Sequence, residues 1–245
     1  MQLAEMIFAL AAVFGGAFVR GYSGFGSALI WVSSLSLILP PTDVVPVVFA
    51  LDLGASLQLL PKVWRDIDWR SLRWLLLGTA AAMPLGIYVL ASLPPAPIRM
   101  AIAAVVLTVT ALLWRGFALR RAPGPGATVL TGTLCGLLGG SVGIGGPPAI
   151  LLYFSSPAAV AVSRASLIVF LSGTDLFGLA AAAHQGLITQ EVALRAALLV
   201  PVVLVGVALG NRRFIQTQPE TFRRFVLLLL AALSIGLFVR TVLYA

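Results

Sequence analysis

A chain of 245 residues that is 60% hydrophobic and only 10% charged, with a mean hydropathy of +1.06, has too little polar surface for a water-soluble domain; such domains carry about 25% charged residues. The formal net charge of +8 is spread over single arginines and short clusters, which excludes a nucleic-acid surface and fits the Lys/Arg excess of cytoplasmic loops in membrane proteins. Cys135 is the single cysteine, which excludes an internal disulfide, and no His/Cys/Asp cluster has metal-ligand spacing, so no metal or cofactor is expected.

The opening "MQLAEMIFALAAVFGGAFVRG" carries Glu5 and lacks the basic start of a secretory signal, so it reads as the first membrane segment. Apolar runs follow along the chain at about 3–19, 26–39, 44–60, 72–92, 98–114, 127–141, 146–156, 162–183, 192–210 and 222–243. Six of them, 44–60, 72–92, 98–114, 162–183, 192–210 and 222–243, are long enough to cross a bilayer. The four short runs form two pairs, each joined by a glycine-rich break: "RGYSGFGS" at 20–27 and "GGSVGIGGPP" at 139–148. The expected fold is therefore all-α and polytopic, with about eight to ten hydrophobic segments.

The two halves match in order: a broken pair, then three long runs. A shift of 119 residues places Gly24-Phe25-Gly26 on Gly143-Ile144-Gly145, and a shift of 124 places "PLG" (84–86) on "ALG" (208–210) and Arg99 on Arg223. This predicts two repeats, 1–121 and 122–245, divided within the connector "RGFALRRAPGPG". Each broken pair returns the chain to its starting side, so each half makes an odd number of crossings and the second repeat is inverted. Lys62, Arg65, Arg70, Arg73, Arg115, Arg120, Arg121, Arg164, Arg212, Arg213, Arg223 and Arg224 then share one face, with Arg99, Arg195 and Arg240 opposite. The crowded face is the cytoplasmic one by the positive-inside rule, which puts both termini outside a cell (inner) membrane.

A helix that stops inside a bilayer leaves backbone groups without partners, at several kcal/mol each, unless protein or a wet cavity covers them. Glycine permits the turn, and Pro147 and Pro148 suit the first turn of a new helix, with Ser23 or Ser27 available to cap the other. Helix N-termini attract anions. The expected site is thus formed by Arg20, Gly21, Tyr22, Ser23, Gly24, Phe25, Gly26 and Ser27 from the first break and Ser141, Gly143, Gly145, Gly146 and Pro147 from the second. Backbone N–H groups, the Ser23 and Ser141 hydroxyls and Arg20 would hold a small anion. Two readings of Arg20 stay open, a buried functional cation or a side chain snorkelling to an interface. Gly15, Gly16 and Gly136 read as packing glycines. Asp52 and Asp175, 123 residues apart, occupy equivalent long runs. They serve either ion coupling or local hydrogen bonding.

Nearly the whole chain resembles the TauE/SafE family of membrane transporters. "GYSGFGSALIWVSSLSLILPP" is similar to the first half-motif of that family, "GGSVGIGGPPAILLYF" to the second, and "PLG" at 84–86 to the spans that follow. The resemblance implies export of small anions: sulfite, organosulfonates, or related sulfur-containing or carboxylated species. The second half departs from the pattern at "ALG" and at "HQGLITQEV", where the first has "WRDIDWR". The rival class is an intramembrane serine hydrolase. Gly21-Tyr22-Ser23-Gly24 has the G-x-S-G form, and 139–143 fits G-x-S-x-G around Ser141, with His184 as the sole histidine to act as base. The nucleophile elbow needs a preceding strand, and duplication of the break has no use in a hydrolase, so no enzyme is expected. A small anion and the lipid bilayer are the expected partners, and assembly as a homo-oligomer stays open.

Overall fold

The computed structural model describes residues 3–115, 124–154 and 160–213, with 235 and 239. Arg120, Arg121, Arg223, Arg224, Arg240 and almost all of the expected last span at 222–243 lie outside the described residues. Within them the chain is all-helical: α1 (Leu3–Ser23), α2 (Ser27–Leu35), α3 (Pro41–Val63), a 3₁₀ turn (Trp64–Asp66), α4 (Trp69–Ser92), α5 (Pro95–Trp114), α6 (Pro125–Val142), α7 (Gly146–Phe154), α8 (Val160–His184) and α9 (Gln190–Arg213). The starts follow local chemistry. Pro41 and Pro125 sit in the first turns of α3 and α6, and the Asp68 carboxylate caps α4 by accepting from the N–H groups of Arg70 and Ser71. Five helices, α1, α3, α4, α8 and α9, are long and apolar enough to cross a membrane, and the chain is a polytopic membrane protein.

One boundary differs from the sequence reading. The first apolar run was expected to stop near residue 19, yet α1 continues through Arg20 to Ser23. Arg20 is wholly buried in protein, so no contact with lipid forces the helix to break before it. Both breaks shrink to three residues, 24–26 and 143–145. Each opens on a left-handed glycine, Gly24 (φ 85°) and Gly143 (φ 72°), whose N–H bonds back four residues, to Arg20 O at 2.8 Å and Gly139 O at 2.9 Å. A side chain at either φ would be strained. The helices beyond the breaks, α2 and α7, have nine residues each. At 1.5 Å rise per residue they are about 13 Å long, well short of the roughly 30 Å hydrocarbon core.

The helices assemble as two bundles that do not coincide with the sequence halves. α1 lies along α9 and α6 along α4, the two most intimate pairings; α3 packs on α9 and α8 on α4. One bundle can be drawn as α1, α2, α3 and α9 and the other as α6, α7, α8 and α4; α3 packs on α8 at least as extensively as on α9, and α5 touches both bundles. Matching α1 to α6 and α4 to α9 by their order, α4 and α9 have changed places. Glycines make the exchange tight. Gly132, Gly136 and Gly140 recur every fourth residue on α6 and meet the backbone of α4, while Gly206 and Gly210 of α9 meet the backbone of α1. In lipid, where burial of apolar surface drives little, such close backbone contact is what holds helices together. Gly136 is thus a packing residue as expected. Gly16 backs onto the Trp31 indole, and Gly15 has open space. Polar links reinforce each bundle: Gln58 Nε2 donates to Leu204 O (3.3 Å) and Arg195 pairs with Asp43 in the first, and Thr79 Oγ1 donates to Gly132 O (2.9 Å) in the second.

Candidate functional site

The centre of α3 supplies the framework. Asp52 falls midway between Pro41 and Val63, and Ser56 stands one turn further on the same face. Arg20, in the last turn of α1, reaches across to both. Its Nη2 donates to Ser56 Oγ at 2.9 Å and its Nε lies 3.9 Å from Asp52 Oδ1. Ser27, the first residue of α2, donates to the same Oδ1 at 2.5 Å. Arg20 and Asp52 are 0% and 3% exposed, so the pair is buried within the helix bundle. The snorkelling reading of Arg20 does not hold.

These groups border a cavity of about 30 Å³. From the first bundle its wall takes Arg20, Phe25, Gly26, Ser27, Phe49 and Asp52; from the second it takes Gly143, Gly145, Gly146, Pro147, Leu171, Thr174 and Asp175. Arg20 Nε and Nη1 meet no hydrogen-bond acceptor among the described residues, and neither does Asp175 Oδ2 find a donor. A buried guanidinium with two unmet donors is a costly arrangement unless something is meant to fill it. The N–H groups of the first turn of α2 (Ser27, Ala28, Leu29) have no partner inside the helix and add their dipole at the same point.

Several expected site residues are placed elsewhere. Gly21 stands against the Val207 carbonyl of α9 and is a packing residue, and the Tyr22 backbone borders Gly210 of α9. Gly24 backs onto the Arg164 side chain. Ser23 turns its hydroxyl to its own helix, donating to Val19 O (2.7 Å), and also touches Phe25 O and Phe25 N. Ser141 donates to Leu137 O at 2.6 Å. Neither Ser23 nor Ser27 caps α2, whose N-cap is Gly26 with no side-chain bond. Small hydroxyls in a helix satisfy themselves on the preceding turn before they serve a ligand. The second break also offers fewer donors than expected. Pro147 and Pro148 lack N–H, and the N–H groups of Gly143 and Ile144 bond to α6, which leaves Gly145 and Gly146.

Sequence reasoning missed Ser56, Phe49, Thr174 and Leu171. Ser56 was accessible, because a hydroxyl four residues after a membrane carboxylate shares its face; the others needed the packing of α3 on α8. Arg164 was counted only toward cytoplasmic charge, yet it is partly buried and donates from Nη2 to Gly21 O (3.4 Å), linking the second bundle to the first. His184 is exposed at the end of α8, and both candidate serines donate to main-chain carbonyls, so nothing supports a hydrolase.

Two helix pairs broken at glycine turns around a buried ion pair, among helices long enough to cross a membrane, fit a multi-pass membrane protein of the transporter class. The chain belongs to the sulfite exporter TauE/SafE family, which matches residues 8–237. It is 30% identical over 233 residues, 91% of this chain and 90% of the relative, to a protein of Cupriavidus necator named "Probable sulfite/organosulfonate exporter TauE". No solved structure matches the chain.

Proposed function

We propose that the chain exports small anions across the inner membrane by alternating access, its substrates being sulfite, organosulfonates or related sulfur-containing or carboxylated anions. One observation carries this reading: Arg20, fully buried, faces a cavity bordered by both helix breaks with two N–H donors unmet. An anion would take those donors together with the start of α2 and the N–H groups of Gly145 and Gly146. A cavity of about 30 Å³ is near the size of a water or two, so a sulfonate enters only when the walls part.

The moving bodies in this proposal are the two exchanged bundles. The sequence repeats, 1–121 and 122–245, describe the chain's inverted organisation with both termini outside, but α1–α9 and α4–α6 are in backbone contact and have no room to slide. The motion in this reading is at the α3–α8 interface, because the cavity lies there, with the connectors 64–68 and 185–189 as crossovers.

Efflux of labelled sulfite, sulfoacetate and thiosulfate from proteoliposomes tests the reading, and absence of flux for every anion would remove it. His184→Ala is expected to leave efflux within about twofold of wild type, since the residue is exposed and away from the cavity wall. Loss of flux in that variant would favour hydrolase chemistry.

A further inference from the structure

The two carboxylates at the cavity are not equivalent, although they are equivalent in the sequence. Asp52 has a cation at 3.9 Å and accepts from Ser27. Asp175 reaches the same cavity from α8, is 4% exposed, and its Oδ2 has no donor. The asymmetry begins in the repeats: a shift of 119 residues places Gly139 where Arg20 stands and Gly146 where Ser27 stands, so the second half lacks both partners that serve the first.

Charge counting gives the two groups different tasks. Arg20 and Asp52 cancel. An anion lodging on Arg20 adds one negative charge to a nearly dry space, and an ionised Asp175 across that space would add a second. Two uncompensated like charges in so small and buried a volume repel strongly. Among the described residues no other cation lines the cavity. The elements packed on α8 bring no remedy. α3 contributes Asp52, and Arg20 of α1, already paired with it, stands in the cavity wall. α7 brings Tyr153, whose hydroxyl pairs with Ser71, and α6 brings buried Cys135. The charges of α4 and the preceding turn (Arg65, Asp66, Asp68, Arg70, Arg73) sit at the far end of that helix, and Arg164 of α8 itself lies three turns before Asp175, against the first break.

We infer that Asp175 is the proton-coupling residue of this transporter, ionised while the open site is wet, taking a proton from the aqueous phase as the walls close on an anion at Arg20 and releasing it on the other side with the anion, while Asp52 stays the fixed counter-ion of Arg20. In the loaded state the new O–H on Asp175 Oδ2 donates to the anion, which satisfies a buried oxygen that finds no donor among the described residues. This rests on the anion-export reading above.

Methanesulfonate is a suitable probe because it stays a monoanion across the neutral range and takes up no proton itself. Binding to the detergent-purified protein is measured by calorimetry in buffers of different ionisation enthalpy, which counts protons. Wild type is expected to take up about one proton per anion, Asp175→Asn about none while still binding, and the proteoliposome flux of Asp175→Asn is expected to lose its response to an imposed pH gradient. Wild-type proton uptake persisting in Asp175→Asn overturns the inference, as does a folded Asp175→Asn that no longer binds methanesulfonate, or a wild-type flux that follows a sodium gradient instead of pH. No binding by wild-type protein of methanesulfonate, sulfite or sulfoacetate would instead remove the export reading itself, and the inference with it.

Discussion

Arg20→Lys is expected to reduce anion efflux about 100-fold or more while leaving the protein folded. Lysine keeps the positive charge beside Asp52, 3.9 Å from the guanidinium now, but it offers a point charge in place of a planar fork. The two guanidinium nitrogens without a hydrogen-bond partner among the described residues, Nε and Nη1, are lost as a pair from a side chain that lines the cavity. Charge-assisted hydrogen bonds contribute about 1.5–3 kcal/mol each, and every 1.4 kcal/mol is roughly tenfold in affinity. Arg20→Ala tests the other half of the argument. It strands the Asp52 carboxylate without its cation, and breaking a buried pair costs about 3–5 kcal/mol, so this variant is expected to accumulate poorly. Adding Asp52→Asn removes the stranded charge and is expected to restore accumulation without restoring flux. Thermal stability in detergent and sulfite efflux, measured on all four proteins, separate the two roles. Wild-type flux in Arg20→Lys would show that the fork binds nothing.

A methyl group at Gly132 is expected to be far more damaging than the same methyl at Gly15. On α6, a Cβ at Gly132 would strike the Leu75 carbonyl oxygen of α4, which is backbone and has no rotamer to yield. Overpacking of this kind costs about 1–3 kcal/mol or more, and it acts on the seam that ties α6 to α4. At Gly15 nothing lies within 4 Å, so Gly15→Ala receives only the helix-propensity gain of up to about 1 kcal/mol. The expected result is opposite signs: a lower melting temperature for Gly132→Ala and an unchanged or higher one for Gly15→Ala. Equal stability of the two would mean that the α4–α6 contact is looser than its backbone distances indicate. Because that seam joins elements from different sequence halves, its loss is also expected to lower flux.

The all-helical class, the membrane setting, the two breaks and the glycine turns at Gly24 and Gly143 could be read from residue order, because each follows from local rules: hydrophobic run length, the conformational freedom of glycine, and the cost of unpaired backbone in lipid. Arg20, Ser27, Asp52, Asp175, Gly145 and Gly146 were named from the same rules, and they do share a cavity wall. The rules failed where a residue had two ways to be satisfied. Ser23 and Ser141 bond their own helices and Gly21 packs on α9, whereas Pro147 lines the cavity without an N–H to offer; spacing cannot show which neighbour a small residue faces.

What composition and order determined is that this chain must stay in a bilayer and must interrupt two of its helices there, since hydropathy and backbone chemistry are properties of short stretches. Only the tertiary structure decided that α9 packs on α1 and α4 on α6, that Arg20 serves Ser56 and Asp52 while it also lines a cavity, and that Asp175 Oδ2 finds no donor among the described residues. Those outcomes depend on which helix faces pack at long range, and two halves of similar pattern acquire different charge environments only when the chain is assembled.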